Sequence, residues 1–211
     1  MSVFLTGTDT GVGKTYTAVQ LLRLLRAQGV RCAGYKAICC GDRADAEQLL
    51  AAGSDGLTID EVNPLWLQTP AAPWPAARED RSVNIDELLA GFDALKARFD
   101  FVVVEGVGGW LVPIAADYFV SDLAMAMGLP VLVVAMNRLG CLNHTMLTVR
   151  SVAACGLSCL GVVLNDFEAA ADFASRTNGE VLREIAGVPI LSGLDADDGE
   201  LSAVWRKMLS V

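Results

Sequence analysis

Residues 2–15 read SVFLTGTDTGVGKT, in which a short apolar run leads into a glycine- and threonine-rich turn that closes on Gly-Lys-Thr. A loop of the form G-x-x-x-x-G-K-[S/T] between a strand and a helix cradles phosphates with its backbone N–H groups and with the helix N-terminus. Thr8 stands where that pattern has its first glycine, and Gly7 lies one position earlier, so this loop is one residue longer. We expect Lys14 to contact the β- and γ-phosphates of a nucleotide and Thr15 to offer its hydroxyl to Mg²⁺.

The alternation of strands and helices after this loop predicts the fold class. Strands are predicted at 2–6, 30–36, 101–105, 130–135, 160–165 and 188–191. Helices are predicted at 14–28, 45–52, 85–95, 143–154 and 200–209, and a further helix follows the strand 160–165 and ends at about residue 186. The Pro-rich stretch 64–75 is predicted to be irregular. The pattern is typical of a single α/β domain, residues 1–211, with a P-loop NTPase fold in which a mainly parallel, doubly wound sheet is flanked by helices.

Composition excludes several classes of protein. The chain is 53% hydrophobic and 19% charged, which excludes intrinsic disorder. Its longest apolar runs have the length of a strand rather than of a membrane span, so we expect strands that are buried on both faces. The formal net charge of −9 argues against nucleic acid and anionic membranes as partners.

The cysteines and the histidine limit the possible chemistry further. The N-terminus enters a strand with no leader segment, so we expect a reducing, cytoplasmic compartment in which the six cysteines keep free thiols. No C-x-x-C pair is present, and His144 is the sole histidine. The sequence therefore argues against a His/Cys zinc site and against a Ser-His-Asp hydrolase.

Charged residues stand near two predicted strand ends, where ligands collect in such sheets. The strand 101–105 ends in Glu105 and continues into Gly-Val-Gly-Gly, which resembles a metal-binding Walker-B strand, although buried strands often end in an acid. Lys36 ends the second strand, where a lysine can neutralise a transferring phosphoryl group, although most lysines are simply exposed. Asp45 and Asp42 follow it, and either can be a second metal ligand or a solvated carboxylate.

These motifs together resemble the ATP-dependent dethiobiotin synthetase family over nearly the whole chain. The segments that carry the resemblance are TGTDTGVGKT (6–15), AGYK (33–36), VNP (62–64), APW (72–74) with AA (76–77), VEGVGGWLVPI (104–114), RLGCLNHTMLT (138–148) and GVVLND (161–166). The first segment and RLG-x-x-NH are highly specific, because other P-loop proteins share the loop but not both segments.

The resemblance implies an ATP-dependent cyclo-ligase of biotin biosynthesis. In that family CO₂ carboxylates one amine of 7,8-diaminononanoate, the carbamate attacks the γ-phosphate of ATP, and the second amine then closes a ureido ring and expels phosphate. It implies that Lys14 and Lys36 hold the γ-phosphate and the carbamate, and that Thr10 lies beside the reacting groups. The residues that it places around Mg²⁺ are Thr15, Asp45 and Glu105. It also implies a homodimer with small molecules as its other partners.

The resemblance further implies binding roles for two sets of residues. The ATP-binding set is Asp9, Thr10, Gly11, Val12, Gly13, Lys14, Thr15, Tyr16, Asn165, Pro189, Ile190 and Leu191. Asn165 would read the adenine edge, or cap the next helix, or do both, and Asp195 is a candidate ribose ligand. The substrate-binding set is Cys40, Gly108, Cys141, Leu142 and Asn143. The last three occupy a strand-to-helix turn, which suits the substrate's carboxylate, so we expect His144 beside them to be structural.

The sequence departs from the family pattern at four places. Ala37 replaces a usual proline, Cys40 a common serine and Trp74 a common histidine, and the interval from Lys36 to Asp45 is shorter than in many relatives. No phosphate ligand is lost, so these changes bear on substrate affinity more than on reaction type.

The main alternative function is an ATPase switch of the ParA/MinD type that acts on a protein partner. Such loops carry an extra lysine near their start, and this loop has Thr8-Asp9-Thr10 there. The amphipathic segment 201–209 suggests membrane attachment, but its few cations favour packing on the domain. A relative that amidates cobyrinate needs a glutaminase module, for which this chain has no room.

Overall fold

A six-stranded parallel sheet forms the centre of the computed structural model, which describes residues 1–167 and 172–191. Its strands are β1 (Ser2–Gly7), β2 (Cys32–Tyr35), β5 (Phe101–Gly109), β8 (Val131–Met136), β9 (Cys159–Asn165) and β10 (Ile190–Leu191). They lie in the order β10-β9-β8-β1-β5-β2, and every neighbouring pair is parallel. The predicted parallel sheet is therefore confirmed.

Eight helices are described within those residues. They are α1 (Lys14–Ala27), α2 (Ala44–Ala52), α3 (Ile59–Val62), α4 (Pro73–Glu79), α5 (Ile85–Arg98), α6 (Val120–Met127), α7 (Cys141–Ala154) and α8 (Phe173–Ile185). Asn84 caps α5, since its side chain accepts a hydrogen bond from the backbone N–H of Glu87 at 3.4 Å. α7 begins two residues earlier than the sequence predicted. The predicted helix at 200–209 and Asp195 lie outside the described residues.

Two small sheets accompany the central one. They are formed by the parallel pair β3 (Ile38–Cys40) and β4 (Leu65–Leu67) and by the antiparallel pair β6 (Pro113–Ala115) and β7 (Tyr118–Phe119). The prediction that 64–75 is irregular is wrong, because β4 and the first turn of α4 lie within it. In β4, Leu65 and Leu67 are buried and Trp66 between them is exposed, which is the alternation of a half-buried strand. Three residues are too few for this alternation to be recognised in the sequence.

The central strands are buried on both faces. Phe4 and Val104 belong to the hydrophobic cluster on one face, whereas Leu5 and Val103 belong to the cluster on the other. Each fully buried side chain of this size contributes about 1.5–3 kcal/mol, so the sheet is a rigid base for the loops at its ends. No helix among the described residues is long and apolar enough to cross a bilayer.

Strand register brings the charged strand ends together. Leu5 pairs with Glu105 across β1 and β5, and Tyr35 pairs with Val104 across β2 and β5. Lys36, which follows Tyr35, therefore stands beside Glu105 at the carboxyl edge of the sheet. The loop after β1 leaves from the same edge, which is where parallel sheets bind ligands.

Candidate active site

A cavity of about 640 Å³ opens at the carboxyl ends of β1, β2 and β5. The predicted site residues that line it are Thr10, Gly11, Gly13, Lys14, Thr15, Lys36, Cys40, Asp45, Glu105 and Gly108. Its outer wall comes from Val107, Val112 and the segment 70–72, which the site prediction did not include. Apolar residues in a loop carry no signature of ligand contact, so only the fold reveals that they face the cavity.

Glycines shape the loop between β1 and α1. Gly11 and Gly13 have φ values of 74° and 88°, a left-handed conformation that residues with a side chain rarely adopt. A Cβ on Gly13 would lie 2.5 Å from Nδ2 of Asn165, and a Cβ on Gly7 would lie 2.7 Å from the carbonyl oxygen of Asp9. The loop can therefore wrap closely around the N-terminus of α1, which is the arrangement that binds phosphate.

Lys14 lies within the curve of this loop. Its Nζ donates a hydrogen bond to the carbonyl oxygen of Asp9 at 3.1 Å, and the side chain is buried. Burial, followed by the nearby positive charge of Lys36, lowers the pKa of Lys14 to about 8, although the surrounding carboxylates partly oppose this. Anionic phosphates at the loop would favour the charged form again.

Four side chains from four elements form a charge cluster on the cavity floor. Oγ1 of Thr15 lies 2.7 Å from Oδ1 of Asp45 and 2.9 Å from Oε1 of Glu105. Nζ of Lys36 donates to Oδ2 of Asp45 at 2.8 Å and to Oε1 of Glu105 at 2.5 Å. The structure thus brings together all three residues predicted to meet Mg²⁺ and one of the two predicted lysines.

Lys36 is held in its charged form by this cluster. Burial alone lowers the pKa of Lys36, but the negative charges of Glu105 and Asp45 outweigh it and raise the pKa above the ordinary lysine value. For Asp45, burial raises the pKa, but the charge and hydrogen bond of Lys36 bring it below the usual range. Lys36 is therefore suited to be a fixed cation and not a proton acceptor.

The cluster has the donor chemistry of a magnesium site. A hydroxyl and two carboxylates are hard oxygen ligands, and Mg²⁺ in nucleotide enzymes takes one or two carboxylates together with substrate phosphates. Oε2 of Glu105 is buried and has no hydrogen-bond partner, so it is available for a cation. No group of three His, Cys, Asp or Glu side chains suited to a metal occurs among residues 1–167 and 172–191. Asp42 also lines the cavity, but it is exposed and accepts from the backbone N–H of Ala44. Asp45 contacts Thr15 and Lys36 and is therefore the better placed of the two candidates.

The start of the loop is arranged by Asp9. Oδ1 of Asp9 accepts from the backbone N–H of Thr10 at 2.7 Å, and Oδ2 lies 3.5 Å from the guanidinium of Arg138. Thr10 is exposed to the cavity near Gly108, whereas Val12 is buried and anchors the loop in the core. Thr10 is thus the side chain of this segment that can reach a ligand.

Asn165 holds the loop from the opposite side. Its Nδ2 lies 2.9 Å from the carbonyl oxygen of Val12 and 3.3 Å from Oγ1 of Thr17, and the residue is buried. These contacts engage the amide donors within the protein, in addition to any role at the base. Beside it, the half-exposed rings of Tyr16 and Phe167 meet edge to face with centroids 5.1 Å apart. Phe167 was missed by the site prediction, although an aromatic residue two positions after Asn165 was the available signal.

The predicted segments at 189–191 and 141–143 lie away from the cavity lining. Ile190 and Leu191 form the buried edge strand β10, so only Pro189 belongs to a turn. Cys141 is buried, and its backbone N–H is bonded to the carbonyl oxygen of Arg138 at 3.1 Å. Leu142 and Asn143 occupy the next positions of α7, which is capped by Gly140.

Cysteines form one wall of the cavity. Cys39 and Cys40 both line it, in β3, and burial raises the pKa of their thiols to about 12 and about 11. Both thiols therefore stay protonated at neutral pH and are weak nucleophiles. Trp74, another departure from the family pattern, lies outside this lining, and Arg78 stacks on its ring at 4.5 Å.

Solved structures of other proteins share this fold. The septum site-determining protein MinD of Pyrococcus horikoshii, complexed with Mg-ADP, is 18% identical with a TM-score of 0.58, over 96% of this chain and 86% of its own. A ParA family ATPase of Chlorobium tepidum is 14% identical with a TM-score of 0.54, over 99% and 89%. At these identities the likeness concerns the fold alone. Fold and site together define a P-loop nucleoside triphosphatase.

Relatives in sequence give a narrower assignment. The AAA domain family model matches residues 1–198. The ATP-dependent dethiobiotin synthetase BioD of Akkermansia muciniphila is 45% identical over 190 residues, which cover 90% of this chain and 89% of the relative. The proteins of the same name from Aromatoleum aromaticum and Bacillus subtilis are 42% and 34% identical, over 96% and 89% of this chain and 96% and 84% of their own. The chain belongs to the ATP-dependent dethiobiotin synthetase family.

Proposed function

We propose that this protein is a dethiobiotin synthase, which joins CO₂ and 7,8-diaminononanoate at the expense of ATP and releases dethiobiotin, ADP and phosphate. The observation that carries the proposal is the pair Lys14 and Lys36 facing one cavity, with Thr15, Asp45 and Glu105 between them, in a chain of this family. An AAA-type loop alone would serve any ATPase. A second buried lysine at the end of β2 adds positive charge where a second anion, the carbamate, would have to lie.

The nucleotide is held by the loop before α1. Backbone N–H groups of residues 9–16 and the ammonium of Lys14 bind the phosphates, and Thr15, Asp45 and Glu105 would hold Mg²⁺. Mg²⁺ supplies charge neutralisation on the phosphate oxygens when it is bound. Asn165 keeps the loop in place, and we propose that Tyr16, Asn165 and the backbone at 189–191 contact the base.

The reaction needs positioning and charge more than a protein nucleophile. CO₂ forms a carbamate on one amine of the substrate, and a carbamate oxygen attacks the γ-phosphorus of ATP as ADP departs. The second amine then attacks the carbonyl carbon of the mixed anhydride, which closes the ring and expels phosphate. Lys36, fixed in its charged form, holds the carbamate and the transferring phosphoryl group against mutual repulsion, and Thr10 orients them.

The substrate's amine end and carboxylate end would lie in different places. We propose that the amine end packs against Cys40 and Gly108, which line the cavity. Cys141, Leu142 and Asn143, the proposed carboxylate site, do not line it, so a second copy of the chain that contributes its α7 would complete the site. This arrangement supports a homodimer. We further propose one domain over residues 1–211 in the cytoplasm.

One assay tests the proposal directly. Purified protein is incubated with ATP, Mg²⁺, bicarbonate and diaminononanoate, and dethiobiotin is measured by mass spectrometry alongside ADP. We expect one ADP for each dethiobiotin and no ADP when the diamine is omitted. ATP turnover that does not depend on the diamine would contradict the substrate assignment and would favour a switch ATPase.

A further inference from the structure

Both the nitrogen and the oxygen of the Asn63 side-chain amide are hydrogen-bonded inside the protein. It is fully buried, and its Nδ2 donates to the carbonyl oxygens of Lys36 at 2.8 Å and of Leu65 at 2.9 Å. Its Oδ1 accepts from Nε of Arg43 at 2.9 Å. The residue therefore ties the end of β2 to the start of β4 and to the segment that precedes α2. The two bonds that Nδ2 donates are buried, and the bond with Arg43 is partly buried.

Arg43 completes the connection from the other end. Its Nη2 donates to the carbonyl oxygen of Asn63 at 2.7 Å and to Oδ1 of Asp60 at 2.8 Å, and its guanidinium lies 5.3 Å from the ring of Trp66. Arg43 is also the residue from which α2 starts. A bidentate, stacked guanidinium holds a fixed orientation, which a lysine at this place would not reproduce.

We propose that the pair Asn63 and Arg43, which we call the clasp, positions the charge cluster for the reaction. One end of the clasp holds the backbone of Lys36, and the other holds α2, which carries Asp45 in its first turn. These are the two residues that meet in the 2.8 Å contact between Nζ of Lys36 and Oδ2 of Asp45. The inference rests on the proposed function, because it concerns where Lys36 stands against the transferring phosphoryl group. Both members are positioning residues and touch no substrate.

The size of the effect follows from the distances that the clasp controls. A misplacement of about 1 Å in a catalytic group can cost roughly 10²-fold in rate. Nucleotide binding depends mainly on the loop before α1, which the clasp does not contact. Loss of the clasp is therefore expected to lower kcat and to leave the KM for ATP within about threefold.

The test compares two arginines that dock on the same short helix. Arg43→Gln breaks the clasp, whereas Arg98→Gln removes a guanidinium that binds Glu61 and the carbonyl oxygen of Gly56 but does not reach the cluster. The measurements are kcat, the KM for ATP, the melting temperature, and the binding of Mn²⁺ with ADP by electron paramagnetic resonance. We expect Arg43→Gln to lower kcat by about 10- to 100-fold and to weaken the binding of Mn²⁺ at least threefold. We expect Arg98→Gln to change neither quantity.

Further arms separate positioning from a general loss of stability. In Arg43→Ala, millimolar guanidinium is expected to restore at least a tenth of the lost kcat, and Asn63→Ala is expected to lower kcat even when assayed 20 °C below its melting temperature. If Arg43→Gln keeps kcat and Mn²⁺ binding within twofold of wild type, the clasp has no positioning role. The same conclusion follows if Arg98→Gln lowers kcat and Mn²⁺ binding as much as Arg43→Gln does. A wild-type protein without diamine-dependent product would instead refute the proposed function, and the Mn²⁺ comparison would still decide on the clasp.

Discussion

Replacing Lys36 with glutamine tests the charge cluster at its centre. Lys36 is 3% exposed, and its Nζ lies 2.5 Å from the carboxylate of Glu105, which is 1% exposed. At an effective dielectric constant of about 20, two unit charges at that distance attract by roughly 6–7 kcal/mol, much of which offsets the cost of their burial. Removing one partner leaves the other uncompensated. We expect Lys36→Gln to lose about 3–5 kcal/mol of unfolding free energy and about 10²- to 10³-fold in kcat.

A double variant separates the two losses. Adding Glu105→Gln to Lys36→Gln removes the uncompensated carboxylate and replaces an ion pair by neutral groups of similar size, which is often nearly neutral for stability. We expect the double variant to regain most of the unfolding free energy and none of the activity. The assays are urea unfolding followed by tryptophan fluorescence, and dethiobiotin formation at saturating ATP and diamine.

Lys96→Gln serves as the matched control, because Lys96 is exposed on α5 and its ammonium contacts only the ring of Phe92, at 5.7 Å, among the interactions described for it. A surface substitution of this kind is expected to change stability by less than about 0.5 kcal/mol. If Lys36→Gln kept kcat within about threefold, or if the double variant recovered activity along with stability, Lys36 would have no part in the chemistry.

Three further predictions concern the loop and its surroundings. Lys14 has a pKa of about 8, so it is charged below that pH and neutral above it. We therefore expect kcat/KM for ATP to fall above pH 8. Lys14→Arg should be slower at every pH but should lose less of its kcat/KM above pH 8, because arginine stays charged. Gly13→Ala puts a Cβ 2.5 Å from Nδ2 of Asn165 at a φ of 88°, and calorimetry should then detect no ATP binding. Gly29→Ala is the control: its φ is 77° and the space around it is open, so it should cost only about 1–2 kcal/mol of unfolding free energy in urea. Because the half-exposed ring of Phe167 meets that of Tyr16, we expect it to stack on the base of ATP. Phe167→Ala should then raise the KM for ATP by about 5- to 100-fold, with no change in inhibition by tripolyphosphate. An equal effect on tripolyphosphate would mean that Phe167 acts through the shape of the loop.

Local patterns in the sequence predicted most of the site. The loop before α1 is contiguous, and Lys36 and Glu105 end strands that any parallel sheet brings to one edge. The choice between Asp45 and Asp42 could not be made from spacing, because it depends on which way the first turn of α2 faces. The structure places Asp45 against Lys36, whereas Asp42 is an exposed residue at the cavity wall.

Connections between distant residues could not be predicted. Asn63 belongs to the VNP motif, but its hydrogen bonds join it to Lys36 and Arg43, which are 27 and 20 residues away in the sequence. No local sequence pattern predicts such bonds. The short strands β3 and β4 form because each has the other as a partner. Each has only three residues, which are too few to show the two-residue periodicity by which a strand is predicted. The segment 141–143 was predicted to meet the substrate from a resemblance, which gives a role without giving a position.

The central place of β1 has a consequence for biosynthesis. Ser2–Gly7 pairs with residues 102–109 on one side and with residues 131–134 on the other, so both neighbours of this strand are synthesised long after it. At about 5–20 residues per second, roughly 6–25 seconds separate the synthesis of β1 from that of residue 134. Until residues 102–109 have been synthesised, β1 has neither of its neighbours in the sheet. Non-local pairing of this kind slows folding and leaves apolar segments exposed while the chain is being synthesised.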